Sequence, residues 1–104
     1  MYQLEYLPIA KRDMDDIARY IAYELHNLIA AKNLVKELIE ATEDLITFPY
    51  IRPVYMTPRI FKYEYRKLLV KNYIIFYWVN EQKKKIMIAR VIYAKRDLEK
   101  TTMN

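Results

Sequence analysis

The chain of 104 residues contains no glycine, no cysteine and no serine. Phosphate-binding loops and dinucleotide fingerprints require glycine at fixed positions, so neither is present. Without cysteine there are no disulfides, thiolate nucleophiles or zinc ribbons, and without serine there is no nucleophile elbow. A single histidine, His26, cannot build a histidine metal site or a catalytic triad. No cofactor is therefore expected. Long apolar runs are also scarce. The longest, Tyr73 to Val79, falls far short of the roughly 20 residues a membrane helix needs. The first residues, Met1-Tyr2-Gln3-Leu4-Glu5, show no basic stretch leading into an apolar one, so no secretory signal is read here. The expected address is the cytoplasm, with no membrane partner. What is present is a globular balance, 54% hydrophobic and 30% charged, in a length that suits one domain spanning 1–104.

The net charge of +5 conceals a division. Residues 1–52 carry 6 basic and 9 acidic side chains, whereas residues 53–104 carry 12 and 4. A second half of net +8 beside a first half of −3 predicts a basic surface that attracts a polyanion or an acidic protein. A solubilising surface explains a modest net charge equally well.

Tyr2 to Tyr6 alternates apolar and polar side chains, the pattern of a half-buried strand. Pro8 suits the first turn of a helix, where its missing N–H costs nothing. Met14, Ile17, Ala18, Ile21 and Leu25 then recur on one helical face. Asp13, Asp15 and Asp16 fall in the early turns and complement the helix dipole. Asn27 can cap a second helix, whose stripe runs Leu34, Leu38, Ala41, Leu45 and Phe48 until Pro49 stops it. Pro49, Pro53 and Pro58 mark an extended connector over 49–59. Three strands are predicted after it, at 65–70, 73–79 and 85–93, with turns at Lys71-Asn72 and 80–84. The middle strand is apolar on both faces and should be central. The remainder, 94–104, reads as a polar tail, ordered only in part. The fold class expected is α+β: an N-terminal strand and a helical hairpin packed on an antiparallel sheet, in the order β-α-α-β-β-β.

The residues with chemical potential are Arg66, Lys67, Lys71, Arg90, Lys95 and Arg96, interleaved with Tyr65, Tyr73, Tyr77, Trp78 and Tyr93. Such a set can hold phosphates and stack bases, although tyrosine and tryptophan are also simply good strand formers. Arg90 interrupts an apolar strand and must reach solvent, an anion or a carboxylate, for which Asp97 and Glu64 are the candidates. Glu24 with His26 makes a poor acid–base pair, and Lys83-Lys84-Lys85 reads as a solvated hairpin tip.

Tyr65-Arg66-Lys67-Leu68-Leu69-Val70, Asn72-Tyr73-Ile74-Ile75-Phe76-Tyr77 and Ile88-Ala89-Arg90-Val91-Ile92-Tyr93-Ala94-Lys95-Arg96-Asp97 together resemble the RelE/ParE superfamily of bacterial toxins. The opening Tyr6-Leu7-Pro8-Ile9-Ala10, followed by Asp13, Ile17 and Tyr20-Ile21, is similar to that family's first strand and helix. The resemblance runs from Tyr2 to about Asp97. It implies the toxin of a type II toxin–antitoxin module, of the kind that stabilises plasmids. A cognate antitoxin would neutralise it, in a toxin–antitoxin hetero-oligomer.

Two activities divide that superfamily. RelE-like members cleave messenger RNA at the ribosome, and ParE-like members poison DNA gyrase without catalytic residues of their own. If the chain were a ribonuclease, the resemblance would assign catalysis to Lys67, Arg66, Arg90 and Arg96. Lys67 and Arg96 match basic positions of RelE, but Ile74 stands where RelE has an arginine and the C-terminal tyrosine is missing. The resemblance therefore favours inhibition of DNA gyrase, with RNA cleavage at the ribosome as the alternative and a non-toxic basic binding module as a third reading. Partner contacts are expected at Arg66, Lys67, Lys71, Arg90, Tyr93, Lys95 and Arg96.

Overall fold

The computed structural model describes residues 1–96 and 98–103. The element order is β1 (Gln3–Tyr6), α1 (Pro8–Arg19), a π-helical turn (Tyr20–Glu24), α2 (Leu28–Asp44), β2 (Arg66–Val70), β3 (Tyr73–Asn80), β4 (Lys85–Tyr93) and a 3₁₀ turn (Leu98–Lys100). Pro8 occupies the first turn of α1 as its fixed φ predicts. Asn27 caps α2, its side-chain oxygen accepting from the Ala30 N–H at 3.0 Å. The helix ends at Asp44, short of Pro49, so Phe48 lies outside the stripe assigned to it and is exposed.

The sheet order is β1-β4-β3-β2. β2–β3 and β3–β4 pair antiparallel, as expected for a meander, but β1 lies parallel to β4, so the sheet is mixed. β4 is therefore interior, which explains why it is buried from Ile86 to Ile92. Its apolar run, broken only at Arg90, is the pattern of a strand covered on both faces. Phe76 pairs with Arg90 and Tyr77 with Ile88, leaving Ala89 as the extra residue of a β-bulge. Pairing with β1 also stops at Ile88.

Two cores flank the sheet. Ala10, Leu34, Leu38 and Leu45 from the helices pack on Leu68, Ile75, Tyr77, Ile86, Ile88 and Val91. Tyr65, Ile74, Phe76, Ala89, Ile92 and Met103 form the second core, with Tyr55, Phe61, Tyr63 and Trp78 around it. Each fully buried aliphatic side chain contributes about 1.5–3 kcal/mol. The connector and the C-terminal segment, not helices, cover this second face. The expectation of a polar tail is thereby corrected: Thr101 and Met103 are buried, because the sheet face beneath them is apolar and has no other cover. Among the described residues, no helix is long and apolar enough to cross a membrane.

Candidate functional site

Arg90 has the most constrained position of the predicted residues. Its guanidinium grips the Asp13 carboxylate in a two-point contact, Nε to Oδ2 at 2.7 Å and Nη2 to Oδ1 at 3.0 Å. Its Nη1 donates to the Thr102 carbonyl at 2.5 Å. The side chains of Arg90 and Asp13 are 6% and 12% exposed. Asp13 Oδ2 also accepts from the Val91 N–H at 3.0 Å. The reason lies in the topology. β1 ends beside Ile88, so the Val91 amide has no strand neighbour on that side, and the chain turning into α1 carries Asp13 over that vacancy. One clamp thus ties α1, the bulge of β4 and the C-terminal segment together.

This corrects two expectations. Asp13 does not act as a dipole-compensating surface acid, since the first turn of α1 holds no acidic residue and Asp13 is paired. Arg90 does not bond Glu64, which pairs with Arg66; Asp97 lies outside the described residues. Asp13 shares a helical face with Ala10 and Ile17, at spacings of three and four. An acid on an apolar face was the signal that a buried cation faces it.

Arg66 is similarly committed. Nη1 donates to the carbonyls of Arg52 (2.8 Å) and Tyr50 (3.3 Å), Nη2 donates to Glu64 at 3.0 Å, and the guanidinium lies over the Tyr50 ring. It fastens the proline-rich connector to β2. Lys67 is exposed on the same strand, with its ammonium 6.0 Å from the Tyr55 ring centre. Beside it is a pocket of about 360 Å³ lined by Arg52, Pro53, Lys67, Leu69 and Ile74.

The remaining predicted residues gather at one end of the sheet. Lys71 occupies the β2–β3 turn with φ of 52° and pairs with Glu37 at 3.2 Å. The Ala94 N–H donates to the Asn72 carbonyl at 2.7 Å, bringing Tyr93, Lys95 and Arg96 alongside. Tyr93 stacks obliquely on Tyr73, whose phenol is pushed up by burial and by Tyr93 and Tyr20. Lys95 and Arg96 are exposed. This end borders a cleft of about 770 Å³ between the helical hairpin and the sheet.

A second cluster, at the β3–β4 turn, was not anticipated. Glu81 accepts from the Tyr2 hydroxyl at 2.7 Å, the Tyr50 hydroxyl at 2.5 Å and the Lys84 ammonium. Hydrogen bonds from Lys84, then Tyr50 and Tyr2, hold its carboxyl down at about 2, and the same contact pushes Tyr50 up to about 12. Tyr2 and Tyr50 are 79 and 31 positions from Glu81, separations no local pattern reveals.

The family of ParE toxins of type II toxin–antitoxin systems, parDE, matches residues 4–98. The chain belongs to the ParE toxin family. It is a toxin of a type II toxin–antitoxin module.

Among solved structures it is similar to a chromosomal ParDE system from P. aeruginosa, with TM-score 0.73 and 20% identity over 91% of this chain and 98% of that one. The RelBE2 toxin–antitoxin complex of Mycobacterium tuberculosis aligns with TM-score 0.62 and 16% identity, over 88% and 96% of the two chains. The isolated E. coli RelE toxin gives 0.57 and 17%, over 95% and 90%. No curated protein sequence matches it. At these identities the structural likenesses establish the α+β fold. In this ParE-family toxin the four arginines and lysines suggested for RNA chemistry are placed as follows. Arg66 and Arg90 are engaged by protein groups, while Lys67 and Arg96 stand on opposite sides of β3.

Proposed function

We propose that this toxin acts by binding rather than by catalysis, and that its target is DNA gyrase. The observation that carries this reading is the separation of the basic side chains. Cleavage at a 2′-hydroxyl needs a base, an acid and phosphate donors within hydrogen-bond reach of one reacting centre. With Arg66 and Arg90 held by carbonyls and carboxylates, Lys67 is left on β2 and Arg96 beyond the end of β4, with β3 between the two strands. Membership of the ParE family supports the same target.

Its neutralising partner is a cognate antitoxin, and we place an acidic, extended segment of it on the part of the β2 edge beyond Lys67, since the connector already pairs with Arg66 through Val54. The Lys67 N–H points outward to the Pro53 carbonyl, so by strand alternation the Leu69 amide also points outward. Leu69 is exposed, and Lys67 and Lys71 flank it. Strand addition with carboxylates on either side suits that edge.

Purified protein added to gyrase is expected to block supercoiling, while ribosome-bound messenger RNA stays intact. Unimpaired gyrase together with new RNA ends that disappear in Lys67→Ala would sink the proposal in favour of RNA cleavage.

A further inference from the structure

The outer face of the helical hairpin carries an unfilled groove of about 640 Å³, running between α1 and α2 on the side away from the sheet. Ala18, Ala22 and Ala31 leave it open, and Leu28, Val35 and Ile39 line its α2 wall. At its tip Tyr23 and Leu28 are 72% and 56% exposed, and Ile39 further along is 40% exposed. A contiguous apolar strip of this kind on a small domain marks an interface.

The charges on the rim identify what fits. Lys32 and Lys36 line the groove toward the tip of the hairpin, and Glu40 and Glu43 line it toward the other end. None of these four takes part in an ion pair among the described residues. Their order along α2 is self-complementary. Turning a second α2 end for end about a two-fold axis between residues 37 and 38 sets Lys36 beside Glu40 of the other copy, and Lys32 against Glu43. The same operation brings Val35 beside Ile39, to within one residue, closing the apolar seam near the axis. The paired positions coincide because the lysine spacing of four and the glutamate spacing of three are both about one helical turn. A parallel arrangement would oppose lysine to lysine.

We propose that two copies of this chain associate through this face as an isologous, antiparallel four-helix interface, with Lys32 and Lys36 of each copy paired to Glu43 and Glu40 of the other. A two-fold interface needs one patch that complements itself, which this groove provides. The inference is independent of whether gyrase is the target.

Sedimentation equilibrium of the intact protein tests it with a charge exchange. The wild type is expected to show a concentration-dependent monomer–dimer equilibrium. Lys32→Glu with Lys36→Glu, or Glu40→Lys with Glu43→Lys, should raise the dimer dissociation constant by at least about tenfold, since each opposes like charges across the axis. Mixing the two double variants should restore a heterodimer in which every pair is again of opposite sign. All four positions are exposed, and circular dichroism confirms that each variant is folded. A wild type that stays monomeric to millimolar concentration overturns the proposal, leaving the groove to another protein. So does a dimer indifferent to both charge reversals, or a mixture that fails to pair.

Discussion

Arg90 shows how much depends on where a single guanidinium points. Its position in an apolar strand required a partner, and the partner turned out to be Asp13, 77 positions away. A buried pair of this kind adds little relative to apolar residues of the same shape, but breaking it strands a charge at a cost of about 3–5 kcal/mol. Arg90→Ala should therefore lower unfolding stability by about that amount in urea denaturation, and any loss of toxicity would follow the folded population. A variant within about 1 kcal/mol of wild type would show that the clamp is not structural. Replacing both partners by apolar residues should cost less than either single change, because no orphan charge remains.

At the level of elements, the absence of glycine has a structural price. Three residues sit in the left-handed region without it: His26 at φ 51°, Lys71 at 52° and Lys84 at 51°. Each closes a tight connection, respectively the π-turn before α2, the β2–β3 hairpin and the β3–β4 hairpin. A Cβ in that conformation costs about 1 kcal/mol. His26 has no ion pair among the described residues, so His26→Gly isolates the backbone effect; Lys71 and Lys84 are each salt-bridged. The substitution should stabilise the protein by up to about 1 kcal/mol, read as a higher denaturation midpoint at unchanged slope. A lower midpoint would mean that the greater freedom of glycine in the unfolded chain dominates.

For the whole molecule, the two faces of the sheet are closed by different means. Helices cover one; the connector and the last residues cover the other, fastened by Arg90 to the Thr102 carbonyl, Arg59 to the Leu98 carbonyl at 2.8 Å, and the burial of Met103. Stopping the chain after Asp97 removes that cover from Phe76, Ala89 and Ile92. The lost burial and charged hydrogen bonds together should cost about 3 kcal/mol or more. The shortened chain should bind a hydrophobic dye while keeping its helical signal. A truncated protein of unchanged stability that binds no dye would show that the tail is dispensable to the second core.

Local patterns sufficed for the helical hairpin, the Asn27 cap, the three C-terminal strands and the basic second half, because each depends on periodicity, capping or composition within one segment. Long-range pairing did not follow from them. The parallel alignment of β1 with β4 depends on which edge of the three-stranded meander the first strand joins, which no single segment encodes. Only that topology leaves the Val91 amide open for Asp13, buries Arg90, and turns a tail that looks polar into a lid over an apolar face. The missing glycine, cysteine and serine excluded whole chemistries from the sequence alone, since a reaction cannot proceed without its atoms. Which arginines stayed free to meet a partner was decided in three dimensions, because a cation takes the nearest carboxylate in space, wherever that lies along the chain.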